Sequence, residues 1–357
     1  MARQLRKQWP DSVIYAIGDP KHDIGRFSNT INKFYGAENE NAVCAAIRIA
    51  CLEFGCKPRA FFCSNPMLET IVGHYPQVFD YLEFENSYSI YDEVVDKRKA
   101  YLLCNRLGIT VPQEYVLEST HPNEIEFPVV IKPRVKCSAS SVSKCAIIKS
   151  LKDCSSYLQK LSMQDVDKSI LLCQKFVEGD NRWEYGYGGY FDDGKPVVDI
   201  CFHQFIQVPQ GLCCFTHEVT DVNLEAKVKD LVRPFLDYSH FTGFLEFDIK
   251  QDSKSGQMYL LDINPRPWRS SDMLTAKLGD STVFNPSPVN DKVVWRYPYR
   301  ELFARKNSNN PPYSVCRSLV LNNNIITHIM LSDSLDKKPS RMQFKEDIKD
   351  LFKRIIK

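Results

Sequence analysis

Acidic side chains between residues 243 and 264 have the types and the spacing of a metal site. The first predicted strand, residues 243–250, reads G-F-L-E-F-D-I-K and carries on its polar face Glu246 and Asp248. The second, residues 258–264, reads M-Y-L-L-D-I-N and carries on one face Leu260, Asp262 and Asn264. The polar segment between them contains glycine and predicts a hairpin, and a register symmetric about residue 254 sets Glu246 directly opposite Asp262.

The repulsion between two such acids suggests their chemistry. Facing side chains of an antiparallel pair lie about 5 Å apart at Cβ, and like charges there are destabilising. A divalent cation held by Glu246, Asp262 and the carbonyl oxygen of Asn264 resolves this repulsion. Hard oxygen ligands favour Mg²⁺, which keeps positions for phosphate oxygens. Acids on a solvated sheet face are the alternative, and a register one residue away would separate the three side chains.

Two lysines are placed to meet an anion. Lys132 ends the strand F-P-V-V-I-K-P, and a polar loop that contains Ser138 and Ser140 follows it. A cation beside hydroxyl and N–H donors suits a phosphate. Lys97 lies in the first turn of a predicted helix, where the macrodipole disfavours a cation unless an anion is near. Solvated lysines are the alternative at both positions.

A third candidate is the segment that runs from Gln174 to Gly179. It reads Q-K-F-V-E-G, follows a predicted strand and ends at a glycine. An apolar middle with polar flanks predicts a hinge whose backbone contacts a base edge, with Glu178 placed to meet a ribose. On its own this pattern is weak.

The elements that position these residues begin with a small α/β layer over residues 1–90. A strand, a helix and a strand are predicted there, at Ser12–Ile17, Ala42–Phe54 and Arg59–Cys63. Residues 91–285 are predicted to hold a small α+β module and then a larger antiparallel region. Residues 286–357 form a C-terminal extension that ends in an amphipathic helix with eight basic and three acidic residues after position 336. Docking of that helix on its own protein is the favoured interpretation, and an anionic membrane is the alternative.

The composition excludes several classes of protein. The chain has 357 residues, of which 43% are hydrophobic and 25% charged, as in folded globular proteins. Its 46 basic and 44 acidic side chains provide no global field for nucleic acid. No apolar run is long enough for a transmembrane helix. The N-terminus lacks the apolar core of a signal peptide, and the 13 cysteines contain no C-x-x-C, so we expect reduced thiols and a cytoplasmic protein.

These motifs, in this order, resemble the ATP-grasp ligases. They are the Asp-Lys at a helix start, the Ile-Lys-Pro strand end, the Q-K-F-V-E-G hinge, G-F-L-E-F-D and L-L-D-I-N-P-R-P-W. The resemblance is closest to carboxylate–amine ligases of the D-aspartate ligase and polysaccharide-biosynthesis type. It covers residues 90–275 well and residues 12–90 more loosely. It implies an α/β (α+β) ATP-grasp fold with a pre-ATP-grasp half-Rossmann layer at 1–90, a lid subdomain at about 113–176 and a large antiparallel subdomain at about 177–285.

The resemblance also implies roles for individual residues. ATP would be bound by Lys97, Lys132, Ser138, Ser140, Gln174, Lys175, Phe176, Val177 and Glu178. Mg²⁺, or Mn²⁺, would be bound by Glu246, Asp262 and Asn264. The catalytic residues would be Arg266 and Lys132, and substrate would contact His203, Gln207 and Arg266. The implied reaction converts a carboxylate and ATP to an acyl phosphate, from which an amine displaces phosphate to leave an amide.

Three departures from the family pattern leave the substrate and the activity open. Residues 134–144 contain no glycine, although this phosphate loop is usually glycine-rich. His203 and Gln207 lie in a segment where relatives often carry Arg or Lys, and Asp262 stands where many have Glu. The predicted function is ligation of an amino acid to a cell-surface glycan precursor, and the predicted assembly is a homodimer. A dipeptide ligase acting on small free substrates and a non-catalytic nucleotide-binding regulator are the alternatives.

Overall fold

A computed structural model of the chain describes residues 1–21, 23–74, 76–135, 142–306, 308–311, 325–330, 333 and 336–356. Within these ranges the strands form three sheets, of two, four and seven strands. Helices alternate with the strands along the chain, which gives a mixed α/β architecture.

The N-terminal unit is built around a two-stranded parallel sheet. Its elements are α1 Ala2–Gln8, β1 Tyr15–Gly18, β2 Lys33–Gly36, α2 Glu40–Phe54 and α3 Asn65–His74. Helix α2 begins where the Asn39 side chain accepts a hydrogen bond from the N–H of Ala42. It ends at Gly55, whose φ of 65° favours glycine. The helix predicted at Ala42–Phe54 is therefore confirmed.

The strand predicted at Arg59–Cys63 is wrong, and β2 is the strand that pairs with β1. The segment makes a single backbone bridge, to Glu83. Its Phe62 is buried and stacks on Phe84, with 5.0 Å between ring centroids, and it meets Tyr91 edge-on. A short apolar run fits a buried strand and a buried loop equally well, and aromatic packing satisfies it here without a sheet.

A four-stranded antiparallel sheet follows helices α4 Tyr88–Val95 and α5 Lys97–Arg106. Its strands, in the order β3-β6-β4-β5, are β3 Glu114–Tyr115, β4 Val129–Pro133, β5 Ala146–Ile148 and β6 Leu171–Lys175. Helix α6 Leu151–Ser162 packs Cys154 and Leu161 into the core of this sheet. This sheet and its helix combine α and β structure, while the subdomain bounds of about 113–176 stay a prediction.

The seven-stranded sheet has the order β11-β10-β7-β8-β9-β12-β13. Its strands are β7 Glu184–Asp192, β8 Lys195–Gln207, β9 Cys213–Glu218, β10 Gly243–Gln251, β11 Met258–Asn264, β12 Lys292–Arg296 and β13 Ile325–Ile329. The helices that accompany it are α7 Val222–Ser239, α8 Asp272–Leu278 and α9 Pro298–Glu301. Neighbouring strands are antiparallel except β12 and β13, which are parallel.

The two faces of the large sheet are covered differently. On one face Phe235 of α7 meets Phe247 edge-on, with 5.6 Å between ring centroids. On the other face Trp268 stacks on Phe202 with 5.8 Å between ring centroids. A Cβ at Gly186 would lie 2.3 Å from the Phe202 ring, so this close approach requires glycine.

The C-terminal segment contacts the rest of the molecule closely. Strands β12 and β13 extend the large sheet beyond β9, and the final helix is α10 Lys338–Ile356. The Tyr297 hydroxyl donates to the Asp347 carboxylate at 2.6 Å, and the Gln343 amide donates to the Tyr297 oxygen at 3.1 Å. The basic helix thus docks on its own protein, while a domain division after residue 285 stays a prediction. Across the ranges described above, no helix is long and apolar enough to cross a bilayer.

Candidate active site

A cleft of about 1030 Å³ is lined by residues of the small sheet, the large sheet and the N-terminal unit. The charged residues that line it include Lys97, Lys132, Glu246, Asp248, Asp262 and Arg266. A second cavity of about 930 Å³ shares Cys145, Phe176 and Arg300 with it. Most of the candidate residues, which come from separate stretches of the sequence, therefore meet at one place.

The register of the β10–β11 hairpin differs from the prediction. Asp248 pairs with Asp262, and Glu246 pairs with Asn264, so the predicted pairing of Glu246 with Asp262 is wrong. The register shifts between Asp248 and Ile249, where Leu261 is the extra residue of β11. Because the pairing beyond this bulge is displaced by two residues from the prediction, the acids remain on the same face of the sheet.

The bulge also changes the environment of two leucines. Leu260 was predicted to share the face of Asp262, but it pairs with Ile249 and is buried in the core. The backbone carbonyl of Leu261 accepts hydrogen bonds from the Lys132 ammonium at 3.0 Å and from the Tyr101 hydroxyl at 3.2 Å. The bulge thus places Leu260 in the core and the backbone carbonyl of Leu261 at the cleft.

Asn264 links the acids to the arginine of the motif. Its amide nitrogen donates to Glu246 at 3.1 Å and to Asp248 at 3.2 Å. Its carbonyl oxygen accepts from the Arg266 guanidinium at 3.0 Å, so this oxygen is turned away from the acids. Asp248 was not among the predicted ligands, although the alternation of β10 places it on the face of Glu246.

The electrostatics of the cluster fit a cation. Burial, and then the nearby charge of Asp248, raise the pKa of the Glu246 carboxyl well above its ordinary value. A buried carboxylate whose ionised form is disfavoured in this way is a ligand that a hard divalent cation would stabilise. Over the residues that the structure describes, no three or more His, Cys, Asp or Glu side chains are already arranged around one point. A metal here would therefore need ligands from outside the protein, such as phosphate oxygens.

Lys97 and Lys132 approach the acids from two different elements. The Lys97 ammonium is buried and lies 3.3 Å from an Asp262 carboxylate oxygen. The sequence predicted an anion near Lys97, because a cation in the first turn of a helix is disfavoured. Asp262 is that anion. Burial lowers the pKa of Lys132 to about 8, even though the charge of Asp262 acts in the opposite direction. Protein groups alone therefore hold both lysines at the cleft, before any ligand binds.

The backbone of the hinge segment is mostly engaged. The N–H groups of Lys175, Phe176 and Glu178 donate to Gln113, Pro128 and Asp252. An adenine contact through Lys175 would therefore use its carbonyl oxygen. The Gln174 side chain accepts from the Tyr101 hydroxyl at 2.7 Å.

The hinge side chains differ in exposure. Phe176 lies under the Lys250 ammonium at 4.7 Å from the ring centroid, and Glu178 is half-buried. The Lys175 side chain is exposed and pairs with Glu126. Ser138 and Ser140 lie outside the described residues.

The two predicted substrate residues of β8 have different surroundings. His203 lies between Tyr185 and His217, whose ring centroids are 4.5 Å and 4.6 Å away. Burial lowers its pKa to about 3, so it is neutral at physiological pH and cannot offer a positive charge to an anionic substrate. Gln207 lines the cleft, where its amide donates to Glu184 and its side-chain oxygen accepts from the Gly211 N–H at 2.6 Å.

Sequence reasoning missed a residue that the N-terminal unit contributes. Asn65, the first residue of α3, is buried, and its side-chain oxygen accepts from the Arg266 Nε. Its amide nitrogen donates to the Asn264 side-chain oxygen at 3.2 Å. Because about 200 residues separate the partners, no local pattern points to this contact.

The chain resembles one curated relative in sequence. It is 25% identical over 228 residues to the D-aspartate ligase of Enterococcus faecium (strain Aus0004), which covers 60% of this chain and 54% of the relative. The chain thus spans about half the length of this relative. No protein-family model matches the chain.

Solved structures show the same fold at low sequence identity. The N5-carboxyaminoimidazole synthetase from Staphylococcus aureus complexed with ADP has a TM-score of 0.61 at 14% identity, covering 82% of this chain and 77% of its own. The biotin carboxylase domain of Hydrogenobacter thermophilus 2-oxoglutarate carboxylase, in complex with MgADP, ADP and bicarbonate, has a TM-score of 0.60 at 15% identity, covering 79% and 64%. The L-amino acid ligase from Bacillus licheniformis has a TM-score of 0.54 at 14% identity, covering 73% and 68%. The predicted mixed α/β fold class is confirmed.

Proposed function

Since this chain has the ATP-grasp fold, we propose that it is an ATP-dependent ligase that joins a carboxylate to an amine and releases ADP and phosphate. The observation that carries the proposal is the acid cluster of buried Glu246 and half-buried Asp248 and Asp262, with Lys97 and Lys132 beside it in one cleft. Phosphoryl transfer needs positioning and charge neutralisation more than covalent chemistry from the protein, and this set of charges supplies both.

The nucleotide would lie between the small and the large sheet. The hinge at Val177 would meet the base and Glu178 the ribose, while Lys97 and Lys132 would bind the phosphates. Among the described residues, the Val177 N–H has no hydrogen-bond partner, which leaves it available to a base edge. Contacts of Ser138 and Ser140 with phosphate stay a prediction.

Magnesium would be held by Glu246, Asp248 and Asp262, together with phosphate oxygens. When bound, it would neutralise the charge that develops on the transferred phosphoryl group. Asn264, whose carbonyl faces Arg266, would orient the acids through its amide nitrogen in the arrangement seen here. Mn²⁺ prefers similar oxygen ligands and would suit the same site.

The proposed reaction has two steps. A carboxylate oxygen of the substrate attacks the γ-phosphorus of ATP, which forms an acyl phosphate and breaks the bond to ADP. The amine then attacks the acyl carbon, loses a proton and expels inorganic phosphate, which leaves an amide. Arg266 has guanidinium N–H groups beyond those bonded to Asn65, Asn264 and Pro267, so it can also hold an oxyanion.

The amine substrate distinguishes the two ligase alternatives. The sequence relative is named for D-aspartate, which supports an amino acid as the carboxylate. The amine would belong either to a cell-surface glycan precursor or to a small free amino acid. Nothing in the cleft geometry favours a nucleotide-binding regulator over either ligase.

The decisive experiment supplies ATP, Mg²⁺ and hydroxylamine with a panel of carboxylates, including both enantiomers of aspartate. Hydroxylamine captures an acyl phosphate as a hydroxamate, so hydroxamate and ADP are expected in equal amounts with the correct carboxylate. Replacing hydroxylamine with glycine or alanine then tests small amines as acceptors. ATP binding without ADP release on the whole panel would contradict the ligase proposal and favour the regulator.

Replacing Asn65 with alanine is expected to lower kcat about 10- to 100-fold, because losing a group that orients a reactive side chain costs about that much. The affinity for ATP should change little, since Asn65 contacts Arg266 and Asn264 and not the hinge. Steady-state kinetics and ATP titration measure the two effects. Asn223→Ala, at an exposed position of α7, is the matched control. Equal kcat in the Asn65 variant and the control would show that the contact has no part in turnover.

A further inference from the structure

Two arginines in addition to Arg266 line the cleft. Arg269 follows Trp268 on the segment that leaves β11, and Arg300 belongs to α9 of the C-terminal segment. The two residues come from separate stretches of the chain, and both face the same cavity. Neither was singled out by its sequence context.

Neither of these two cations has an acidic partner among the residues that the structure describes. In the part of the chain that the structure describes, Arg269 has neither a hydrogen bond nor an ion pair, and Arg300 donates to the Val208 carbonyl at 2.7 Å. The Arg300 guanidinium also lies 5.6 Å from the centroid of the Tyr297 ring. The nearby Asp347 accepts its hydrogen bonds from Tyr297 and Gln343, not from an arginine.

Two of the acids that line the same cleft are paired with lysines rather than with these arginines. Glu184 pairs with Lys250 at 3.2 Å, and Asp262 pairs with Lys97 at 3.3 Å. Desolvation within the cleft, followed by the charge of Arg300, lowers the pKa of Arg269. Two like charges that share a cleft without a counter-ion repel each other, and a bound anion would relieve this repulsion.

The arginine pair is close to the acid cluster. Arg269 lies three residues after Arg266, and both line one cleft. Lys144, which lines that cleft from the other sheet, interacts electrostatically with Asp248 and also with Arg269. A substrate bound at the arginines would therefore reach the place where phosphate is transferred.

We propose that Arg269 and Arg300 form a subsite for a second anionic group of the substrate, apart from the carboxylate that is activated. This inference rests on the proposed ligase function and deepens it. The substrate is then a dianion, a dicarboxylic acid or an acid that also carries phosphate. Two guanidinium groups can bind either group through paired N–H donors.

The test measures binding of matched ligands by calorimetry in the presence of Mg²⁺ and a non-hydrolysable ATP analogue. The ligands are aspartate and asparagine, glutamate and glutamine, and phosphoserine and serine. The wild-type protein is expected to bind at least one dianion about 10- to 100-fold more tightly than its neutral partner, as charge-assisted hydrogen bonds would provide. The best pair identifies carboxylate or phosphate as the second group.

Arg269→Gln and Arg300→Gln are each expected to reduce this preference about 10-fold or more. Affinity for the ATP analogue should be unchanged, and Arg233→Gln, an exposed position of α7, is the matched control. No preference in the wild type, or a preference that survives both substitutions, would overturn the subsite. Loss of ATP affinity in the Arg269 or Arg300 variant would also overturn it, because the arginines would then bind nucleotide. Since calorimetry needs no turnover, a protein that binds dianions through these arginines but forms no hydroxamate would refute ligation and leave the subsite intact.

Discussion

Replacing Glu246 with glutamine is expected to lower kcat/KM for ATP about 100- to 1000-fold. Stabilisation of transition-state charge by a metal is worth several kcal/mol, and each 1.4 kcal/mol is about a factor of 10 in rate. Glutamine keeps the size of the side chain and removes the charged ligand. ADP release measured over a range of Mg²⁺ concentrations checks the prediction, and a higher Mg²⁺ requirement is expected to accompany the loss.

The same substitution should not destabilise the protein without ligands. The folded-state pKa of Glu246 is raised above its ordinary value of 4.5, so its ionised form is disfavoured by folding. Its contribution to stability is fully present below pH 4.5 and is lost as pH rises through the folded-state pKa. Thermal unfolding at pH 8 should therefore show the glutamine variant at or above the wild-type Tm, with less advantage at low pH.

An exposed acid serves as the control for Glu246. Asp230 is exposed on α7, does not line the cleft, and forms a surface ion pair with Arg233 at 2.6 Å. Asp230→Asn should alter neither the turnover nor its dependence on Mg²⁺, since surface ion pairs contribute little. If Glu246→Gln behaves like this control in the turnover assay, the acid cluster does not bind the metal that serves ATP.

Replacing Lys132 with methionine is expected to weaken kcat/KM for ATP about 10- to 150-fold, the range for losing a charge-assisted hydrogen bond to phosphate. Titration of Lys132 should also be visible in the pH dependence of ATP affinity in the wild-type protein. Burial lowers the pKa of Lys132 to about 8, so above pH 8 most of the unliganded protein has a neutral amine there. ATP must then bind with uptake of a proton, and the apparent affinity should fall about 10-fold per pH unit.

Two variants separate the charge of Lys132 from its packing. Arginine keeps its charge at high pH, so Lys132→Arg should lose the decrease above pH 8 even if its overall affinity is lower. Lys195→Met, at an exposed position of β8, should leave both the affinity and the profile unchanged. A wild-type affinity that stays level from pH 7 to pH 10 would contradict the assignment of this lysine to phosphate.

The alternation of β10 was sufficient to predict which face carries the acids, because side chains alternate strictly along a regular strand. The pairing was not predictable, since symmetry about the turn cannot reveal an extra residue in one strand. Leu261 is that residue. Because of it, Glu246 pairs with Asn264 and not with Asp262 as predicted. The predicted face of the sheet is correct because a displacement of two residues leaves side chains on the same face. The predicted cross-strand partners are wrong.

Contacts between distant segments account for the other differences. Asn65 and Arg300 reach the cleft from residues far from the motifs, and their own surroundings in the sequence contain no unusual pattern. His203 has the residue type of a substrate ligand, yet a tilted ring contact with Tyr185 and stacking on His217 hold it away from that role. Periodicity predicts which residues face a core, but the packing of whole units decides which polar residues meet.

The carbonyl of Leu261 also affects what nucleotide entry requires. In the structure this carbonyl accepts hydrogen bonds from both Lys132 and Tyr101. The neutral carbonyl dipole therefore holds the Lys132 ammonium beside the position that a phosphate would occupy. When the Lys132 ammonium donates to a phosphate instead, the Tyr101 hydroxyl still donates to the Leu261 carbonyl. No backbone acceptor is then left without a hydrogen bond. Loading of the nucleotide is therefore an exchange of partners around a preformed cation, with little reorganisation of the chain.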